Sequence, residues 1–559
     1  MTGRLQDEIV FVMGAGARGQ GWSNGKAASV LFAREGARVF AVDISADAAA
    51  ETRDIIRSEG GEAECFVADA TDSASVKAAV DACISLYGGM DVLHNNVGAP
   101  APGDPVEMPE DVWQSNMAIN VTSAFMTCKH ALPVIADGGG GAIVNIASIA
   151  GIRNLERSLV GYQAGKAALI QLSRSVAAQW ARRGVRSNCI LPGLMKTPLV
   201  LDRINTNYLT EEARAEALAE RGRMVPMGYM GDAWDTAWAA IYLASDESKY
   251  VTATEFTVDG GLTAGRPLDW RDPDLVAPPI EVPDADARSG PGPHKRLEGK
   301  VAIVVGAGSL GPGLGNGKAS AILFAREGAK VLAVDRNPDA VNETQGIIEG
   351  EGGDCVAFAG DALSAADVDR MAKTCLDRFG RIDIVHNNVG GAAGHDGPVT
   401  LDEAAWDANV SLNVKPAFLA CKTIIPIMER QGGGAFINTA STAGISVPEH
   451  PMISYQTGKA GLIQFSHGVA LEYARKNIRS NCVIPGKIKT PMTEVRQTER
   501  TSAADVARVY EKRAKSVPLG RMGEAWDVGY AALYLASDEA RYVTATEILV
   551  DGGLTSNCC

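Results

Sequence analysis

Tyr162-Gln-Ala-Gly-Lys166 sets a phenol and an ammonium four residues apart, and on a helix that spacing puts both on one face. A free phenol titrates near pH ~10 and is a poor base at neutrality. A neighbouring cation favours the phenolate and brings the group towards general acid/base work. Ser148 stands fourteen residues before Tyr162, just past the apolar run Ile143–Ile146. A hydroxyl at the carboxyl end of a strand can orient a substrate oxygen as it gains or loses a proton; the competing reading is an ordinary turn serine. Tyr-x-x-x-Lys alone is a frequent accident. Here the set occurs twice, because Tyr455-Gln-Thr-Gly-Lys459 follows Ser441 at the same distance. The chemistry this constellation can do is proton transfer at an alcohol oxygen.

A second pair of motifs can hold a phosphate-bearing ligand. Gly14-Ala-Gly16-Ala-Arg-Gly19 and Gly306-Ala-Gly308-Ser-Leu-Gly311 each follow an apolar run and precede a helical pattern. Glycines there permit a tight turn and let backbone N–H groups and a helix N-terminus meet a pyrophosphate. One such motif is weak evidence, and two in the same context are much stronger. The next apolar run ends in Asp43, and its twin in Asp335. An acid there hydrogen-bonds the adenosine ribose and repels a 2′-phosphate, which favours NAD over NADP. Arg18 and Arg336 could soften that discrimination.

These residues need elements to position them. Ile9–Met13, Arg38–Asp43, 91–94, Ile143–Ile146 and 256–258 read as strands, with helical patterns between them such as 27–35 closed by Gly36. Apolar strands alternating with helices imply a mostly parallel sheet covered on both faces, so the fold class is α/β with doubly wound Rossmann domains. There are two in tandem. Leu31-Phe-Ala-Arg-Glu-Gly-Ala37 returns as Leu323-Phe-Ala-Arg-Glu-Gly-Ala329, and the offset stays at 292 or 293 throughout. A period that long is domain duplication. The expected division is 1–264, a Pro-rich linker at 265–295 that should run extended, and 296–559.

A formal charge of −14 argues against nucleic acid or an anionic membrane as partner. No signal pattern opens the chain and no apolar run of membrane-spanning length is evident, so the expected compartment is the cytoplasm. Ten cysteines without metal spacing imply no metal site. Cys83, Cys128 and Cys189, with their twins Cys375, Cys421 and Cys482, read as buried core thiols.

Taken with Asn95-Asn96-Val-Gly98, Pro192-Gly193…Thr197 and Asp259-Gly-Gly261, and with their twins Asn387-Asn388, Pro485-Gly486…Thr490 and Asp551-Gly-Gly553, these motifs make the chain resemble the short-chain dehydrogenase/reductase family. The resemblance covers nearly everything except the linker. It implies that Tyr162 and Tyr455 are general acid/bases. Lys166 and Lys459 would bind the nicotinamide ribose and lower the tyrosine pKa. Ser148 and Ser441 would stabilise the substrate alcohol, and Asn120 and Asn413 would hold a proton-relay water. Asp69 and Asp361 match an adenine-contacting position, and Asn96 and Asn388 a cofactor contact after the fourth strand. Met195 and Thr197, with Ile488 and Thr490, match the residues that cradle the nicotinamide amide.

One departure concerns the glycine loop. The family's second glycine pair falls on Ser23-Asn24-Gly25 and Gly315-Asn316-Gly317, so both loops are about five residues longer than usual. Gly14, Gly19 and Asn24, with Gly306, Gly311 and Asn316, are the cofactor candidates there. The implied reaction is reversible hydride transfer between a secondary alcohol and NAD; reduction or dehydration of a sugar-like substrate is a second enzymatic reading. The Ser-to-Tyr loops and the segments after Pro-Gly differ between copies, which points to two substrates, two stereochemistries or two successive steps. Arg153 and Arg157 could bind an anionic group, although a solvated loop face is the simpler reading. The charged run 211–223 fits a mobile lid or a solvated helix. The competing hypothesis is that one half is silent and serves as a structural or regulatory partner. Family members usually pair, so an intramolecular pseudo-dimer, and further assembly into a homodimer, are expected.

Overall fold

The computed structural model describes residues 3–154, 158–265, 295–391, 397–448, 452–498 and 503–556. It separates into two compact units, Met1–Pro293 and His294–Cys559. The expected linker lies outside the described residues except for Gly265 and Lys295, and Arg157 lies outside them as well.

In the first unit seven strands, β1 (Ile9–Met13), β2 (Arg38–Asp43), β3 (Glu62–Val67), β4 (Val92–Asn95), β5 (Gly141–Ile146), β6 (Val185–Pro192) and β7 (Glu255–Val258), form one sheet in the order β3-β2-β1-β4-β5-β6-β7. Every pairing is parallel. The second unit repeats the order with β8 (Val301–Val305), β9 (Lys330–Asp335), β10 (Cys355–Ala359), β11 (Ile384–Asn387), β12 (Gly434–Thr439) and β13 (Ile478–Pro485). A two-residue pair, β14 (Ile488–Lys489) and β15 (Gly523–Glu524), precedes its last sheet strand, β16 (Glu547–Val550).

Chain order turns back between β1 and β4, where Met13 lies opposite Asn95. At such a switch point the loops leaving the two strands diverge and open a crevice at their carboxyl ends. The segments after β1, β4, β5 and β6 therefore converge there. Helices cover both faces, which is why β1 is buried at all five positions. One face packs Phe11, Met13, Phe40, Val76 and Leu93; Ala147, Ile149, Leu169 and Leu191 extend that same face, with the helix Val160–Trp180 contributing to both groups, and the helices Asn24–Arg34 and Ala233–Ala244 pack together on the other. Cys83, Cys128, Cys189, Cys375, Cys421 and Cys482 are buried free thiols, as expected.

The structure adds strands that patterning does not reveal. β3 carries Glu62 and Glu64 at the sheet edge, where only part of the strand is buried. β6 is buried throughout although it holds Arg186 and Asn188. The Arg186 guanidinium donates to the Leu243 and Ala244 carbonyls, and Asn188 pairs with the backbone at Val251 and Thr254. Distant backbone thus satisfies side chains whose burial would otherwise be costly. The first helix, Asn24–Arg34, also begins earlier than its apolar pattern, because Ser23 Oγ caps it by accepting from Lys26 N at 3.1 Å.

Against the sequence expectation, one helix, Glu403–Gln431, is long and apolar enough to cross a membrane by length and composition. Its residues Leu419, Cys421, Ile424 and Met428 are buried in the core of the second unit. Core packing accounts for its apolar character.

Candidate active site

The glycine loop is built by close backbone approach. Gly14 continues from β1 with φ +86°, a left-handed value glycine adopts readily, and its N–H donates to Val42 O at 2.8 Å. Gly25, in the first turn of the following helix, packs on it so tightly that a Cβ would lie 2.0 Å from Gly14 O. Gly317 stands at the same 2.0 Å from Gly306 O. Asn96 Nδ2 donates to Gly14 O at 2.9 Å, and Asn388 Nδ2 to Gly306 O at 3.4 Å, so both asparagines hold the loop.

Asp43 ends β2 and accepts from Gly16 N at 2.9 Å and Ser45 N at 3.0 Å. Asp335 repeats this with Gly308 N and Asn337 N, both at 3.0 Å. Each carboxylate oxygen receives one backbone donor and keeps further acceptor capacity, which suits it to a ribose diol. Sequence reasoning passed over Gly16 and Gly308. A Cβ there would stand 2.9 and 2.8 Å from the aspartate Oδ2, so glycine is what lets the loop reach the acid. The signal was present as the second glycine of the motif.

Other cofactor candidates are placed less tightly. Gly19 (φ +79°) has no neighbour within 4 Å of a built Cβ, and Gly311 meets only Val495 and Pro491 at 3.7 Å and beyond. The helix–strand packing usually supplied by the third glycine of the motif falls instead to Gly25 and Gly317. Asn24 Oδ1 and Asn316 Oδ1 are buried without a protein partner. Asp69 follows β3 and accepts from Thr71 N at 2.8 Å, and Asp361 accepts from Leu363 N at 2.9 Å. Met195 is buried and bridges to Gly231. Thr197 stands at the N-cap position of the helix Pro198–Asn207 without a side-chain cap bond. Ile488 lies in β14, and Thr490 Oγ1 accepts from Thr493 N at 3.4 Å.

The catalytic candidates converge at the ends of β5 and β12. Ser148 Oγ accepts from Ala150 N at 3.1 Å, and Ser441 Oγ from Ala443 N at 3.2 Å. Tyr162 and Lys166 share one face of the helix Val160–Trp180, with Lys166 Nζ 5.8 Å from the phenol ring centre. The second copy gives 5.9 Å for Lys459 and Tyr455 on the helix Ile453–Tyr473. Lys166 Nζ donates to Ile146 O and Lys459 Nζ to Thr439 O, both at 2.7 Å. Burial lowers both ammonium groups to about 8. Burial also raises the Tyr162 hydroxyl, opposed by a hydrogen bond with Ser148 and by the Arg203 charge. For Tyr162, then, the lowering influences lie in Ser148 and Arg203.

Asn120 and Asn413 are buried, but their side chains are committed to backbone. Asn120 Nδ2 donates to Ala99 O at 2.9 Å and Asn116 O at 3.0 Å, and Asn413 Nδ2 to Gly391 O at 2.9 Å and Asn409 O at 2.8 Å. The surrounding backbone departs from regular α-helical hydrogen bonding in each copy by different means. Around Asn120 it forms a π-turn, in which Ser123 N bonds Ala118 O; after Asn413, Pro416 lacks an N–H altogether.

A polar network unseen in the sequence underlies the site. Asn95 Nδ2 donates to Asn145 Oδ1 at 2.8 Å, and Asn145 reaches Ser173 at 3.2 Å and Ser187 at 3.4 Å. Asn387, Asn438, Ser466 and Ser480 repeat it. One member differs: Thr127 Oγ1 donates to Asn95 Oδ1 at 2.6 Å, whereas Ala420 takes its place and Asn387 Oδ1 is left unpaired. Among the described residues no group of three His, Cys, Asp or Glu side chains could hold a metal ion.

Known proteins bear on this arrangement. Residues 19–263 and 313–555 each match the family profile described as enoyl-(acyl carrier protein) reductase. The uncharacterized oxidoreductase YxbG of Bacillus subtilis (strain 168) is 37% identical over 265 residues, covering 47% of this chain and 93% of that protein. The 2,5-dichloro-2,5-cyclohexadiene-1,4-diol dehydrogenase LinX of Sphingobium indicum (strain DSM 16412 / CCM 7286 / MTCC 6364 / B90A) is 35% identical over 265 residues, covering 47% of this chain and 100% of LinX. An uncharacterized short-chain type dehydrogenase/reductase, y4vI of Sinorhizobium fredii (strain NBRC 101917 / NGR234), is 27% identical over 551 residues, covering 95% of this chain and 90% of that protein. With two matched regions, each carrying a full seven-stranded parallel sheet, the chain is a tandem fusion that belongs to the short-chain dehydrogenase/reductase family of oxidoreductases.

Proposed function

We propose that each copy is an NAD-dependent dehydrogenase/reductase interconverting a secondary alcohol and a ketone, so that one chain holds two active sites. The observation that carries this reading is that both copies bring a strand-end serine together with a tyrosine and a buried lysine on one helix face, at matching lysine–phenol distances and with the same 2.7 Å bond from lysine to strand carbonyl. The residues present fit a dinucleotide. The glycine loop closes without room for a Cβ at Gly16 and Gly25 or at Gly308 and Gly317, and Asp43 and Asp335 sit beside it with acceptor capacity to spare. That charge favours NAD over NADP. When bound, the nicotinamide supplies the carbon that exchanges hydride with the alcohol carbon.

The protein moves the proton. Tyr162 or Tyr455 takes the hydroxyl proton in oxidation and returns it in reduction, while Ser148 or Ser441 orients the same oxygen. Lys166 and Lys459 supply positive charge beside the phenol and hold the ribose. The segments after Pro192-Gly193 and Pro485-Gly486 differ in sequence, which supports two substrates rather than one. Secondary alcohols screened with NAD and NADP, with NADH absorbance as readout, test the reading on the parent, Tyr162→Phe, Tyr455→Phe and the double variant. Each single variant is expected to lose one set of activities and the double variant to lose both. Full activity of a single variant towards every parental substrate would make that half silent, and activity surviving in the double variant would refute the mechanism.

A further inference from the structure

In the elongated part of the glycine loop stands Gln20-Gly21-Trp22, and its twin is Pro312-Gly313-Leu314. Of these three positions only the glycine is the same. Both glycines take a positive φ, +110° at Gly21 and +116° at Gly313, which a side chain would strain. Each also lies against a proline: a Cβ on Gly21 would stand 3.4 Å from Pro198 Cγ, and one on Gly313 3.2 Å from Pro491 Cγ. That proline opens the helix after Thr197 or Thr490, Pro198–Asn207 in the first copy and Pro491–Thr498 in the second. Beyond it the two helices diverge at once, with no residue shared between 199–202 and 492–495.

A buried lysine holds the loop from its other side. Lys26 and Lys318, each third in its helix, are 3% and 1% exposed. Lys318 Nζ donates to Gly313 O at 3.3 Å and pairs with Glu343 at 2.9 Å. Lys26 Nζ pairs with Glu51 at 2.7 Å and stands 5.3 Å from the Trp22 ring centre. The glutamates belong to the helices Ala46–Ser58 and Pro338–Gly350, which follow Asp43 and Asp335. An indole face in one copy and a carbonyl in the other thus meet the same ammonium at neighbouring loop positions. Local stability does not explain the lysine. The positive end of the helix dipole disfavours a cation in the first turn, and a buried ammonium is costly until it is paired. Each ion pair is neutral as a whole, so it acts on a pyrophosphate by placing the loop and not by charge.

Resting on the dehydrogenase reading above, we propose that Lys26 and Lys318 are positioning residues. Each fastens the elongated glycine loop against the proline that opens the following helix, so that filling the loop orders that helix without help from the nicotinamide. The extra loop residues are the link. With a pyrophosphate in the loop, the backbone of Gly21 or Gly313 is restrained, and that backbone bears directly on Pro198 or Pro491. Packed contacts in series transmit such a restraint because close-packed atoms have little room to yield. The helix so ordered belongs to the segment that differs between copies, so the part fastened is the part that distinguishes the two sites.

The test uses ADP-ribose, which has the pyrophosphate and both riboses of NAD but no nicotinamide. Hydrogen exchange of the full chain is followed by mass spectrometry, with and without saturating ADP-ribose, in the parent, Lys26→Met, Lys318→Met and Pro491→Ala. In the parent ADP-ribose should slow amide exchange in 198–207 and in 491–498 by about fivefold or more. Lys318→Met should remove the effect at 491–498 and keep it at 198–207, and Lys26→Met should do the reverse, so each copy is the other's control. Pro491→Ala cuts the contact on the far side of the loop. It should lose the effect at 491–498 while binding ADP-ribose within about twofold of the parent. If Lys318→Met loosens the strands of its own unit with and without ligand, Pro491→Ala decides alone. ADP-ribose that binds without slowing either helix overturns the proposal, as does slowing at 491–498 that survives Pro491→Ala. Slowing that follows the expected pattern in a chain that oxidises no alcohol would sink the dehydrogenase reading alone. Alcohol turnover in a chain whose helices ignore ADP-ribose would sink this proposal alone, and a chain that binds neither ADP-ribose nor NADH would sink both.

Discussion

Exchanging Thr127 for Val removes a single hydroxyl from the network beneath the first site while keeping the side chain's volume. In the parent that hydroxyl donates to Asn95 Oδ1 at 2.6 Å, and both residues are buried. The alternative acceptor, Ala124 O at 3.0 Å, belongs to the same helix, so the asparagine is the partner that suffers. A buried acceptor stripped of its donor costs about 1–3 kcal/mol, and no cavity contributes when valine replaces threonine. The second copy runs the experiment in reverse. Ala420 already leaves Asn387 Oδ1 unpaired in a site that is 4% exposed. Both Ala420→Thr and Ala420→Val add bulk to a packed position, so each can be destabilising by itself. Their difference isolates the hydroxyl, and threonine should exceed valine by about 1 kcal/mol or more.

Urea denaturation followed by tryptophan fluorescence measures both differences. Because each Thr/Val pair alters one copy only, unfolding of the other copy is a shared background. Equal stability of Thr and Val at 127, or valine surpassing threonine at 420, would refute the reasoning; water or local relaxation would then be satisfying the asparagine carbonyl.

Asp43→Ser should cut the first site's preference for NAD over NADP by about tenfold or more, read as the ratio of kcat/KM values with the two cofactors in a Tyr455→Phe background. Gly25→Ala should abolish NADH binding at the first site, because its Cβ would stand 2.0 Å from a backbone oxygen; Gly19→Ala, with nothing within 4 Å, should cost only about 1 kcal/mol for its left-handed φ. Titration of Lys166 should leave a signature in stability. Its pKa falls from 10.5 to about 8 on folding, so above about pH 8 the folded state sheds this proton while the unfolded state keeps it, and stability rises towards pH 10.5. The gap corresponds to roughly 3 kcal/mol. The denaturation midpoint of the parent relative to that of Lys166→Met should therefore rise between pH 8 and 10, and a relative midpoint independent of pH would count against a buried ammonium.

Much of the site was legible before folding was considered. Tyr162, Lys166 and Ser148, with their twins, stand at spacings that a helix and a strand end convert directly into proximity. Asp43 and Asp335 could be placed because each closes an apolar run. Legibility failed where a residue's role depends on what lies far away in the chain. The glycine motif was visible, but which glycines matter was not: Gly16 is required by Asp43, 27 residues on, and Gly25 by the Gly14 carbonyl across the turn. Asn120 Oδ1 lies close to Gly98 and so to Lys166, yet its side chain is bound to Ala99 and Asn116 backbone, which no spacing in the chain foretells.

The sequence by itself determined the duplication, the α/β order of elements and the identity of the Ser-Tyr-Lys set. These are local properties, carried by repeat offset, apolar period and short spacing. Only the tertiary structure decided that β6 is a strand despite Arg186 and Asn188, since their burial is permitted by carbonyls roughly sixty residues away. It alone revealed the Asn95–Asn145 network and its broken counterpart at Ala420, and it alone brought Arg203 to Pro100, 103 residues distant. The physical reason is common to all three. A polar group's free energy inside a protein depends on its partner, and no window along the chain contains that partner.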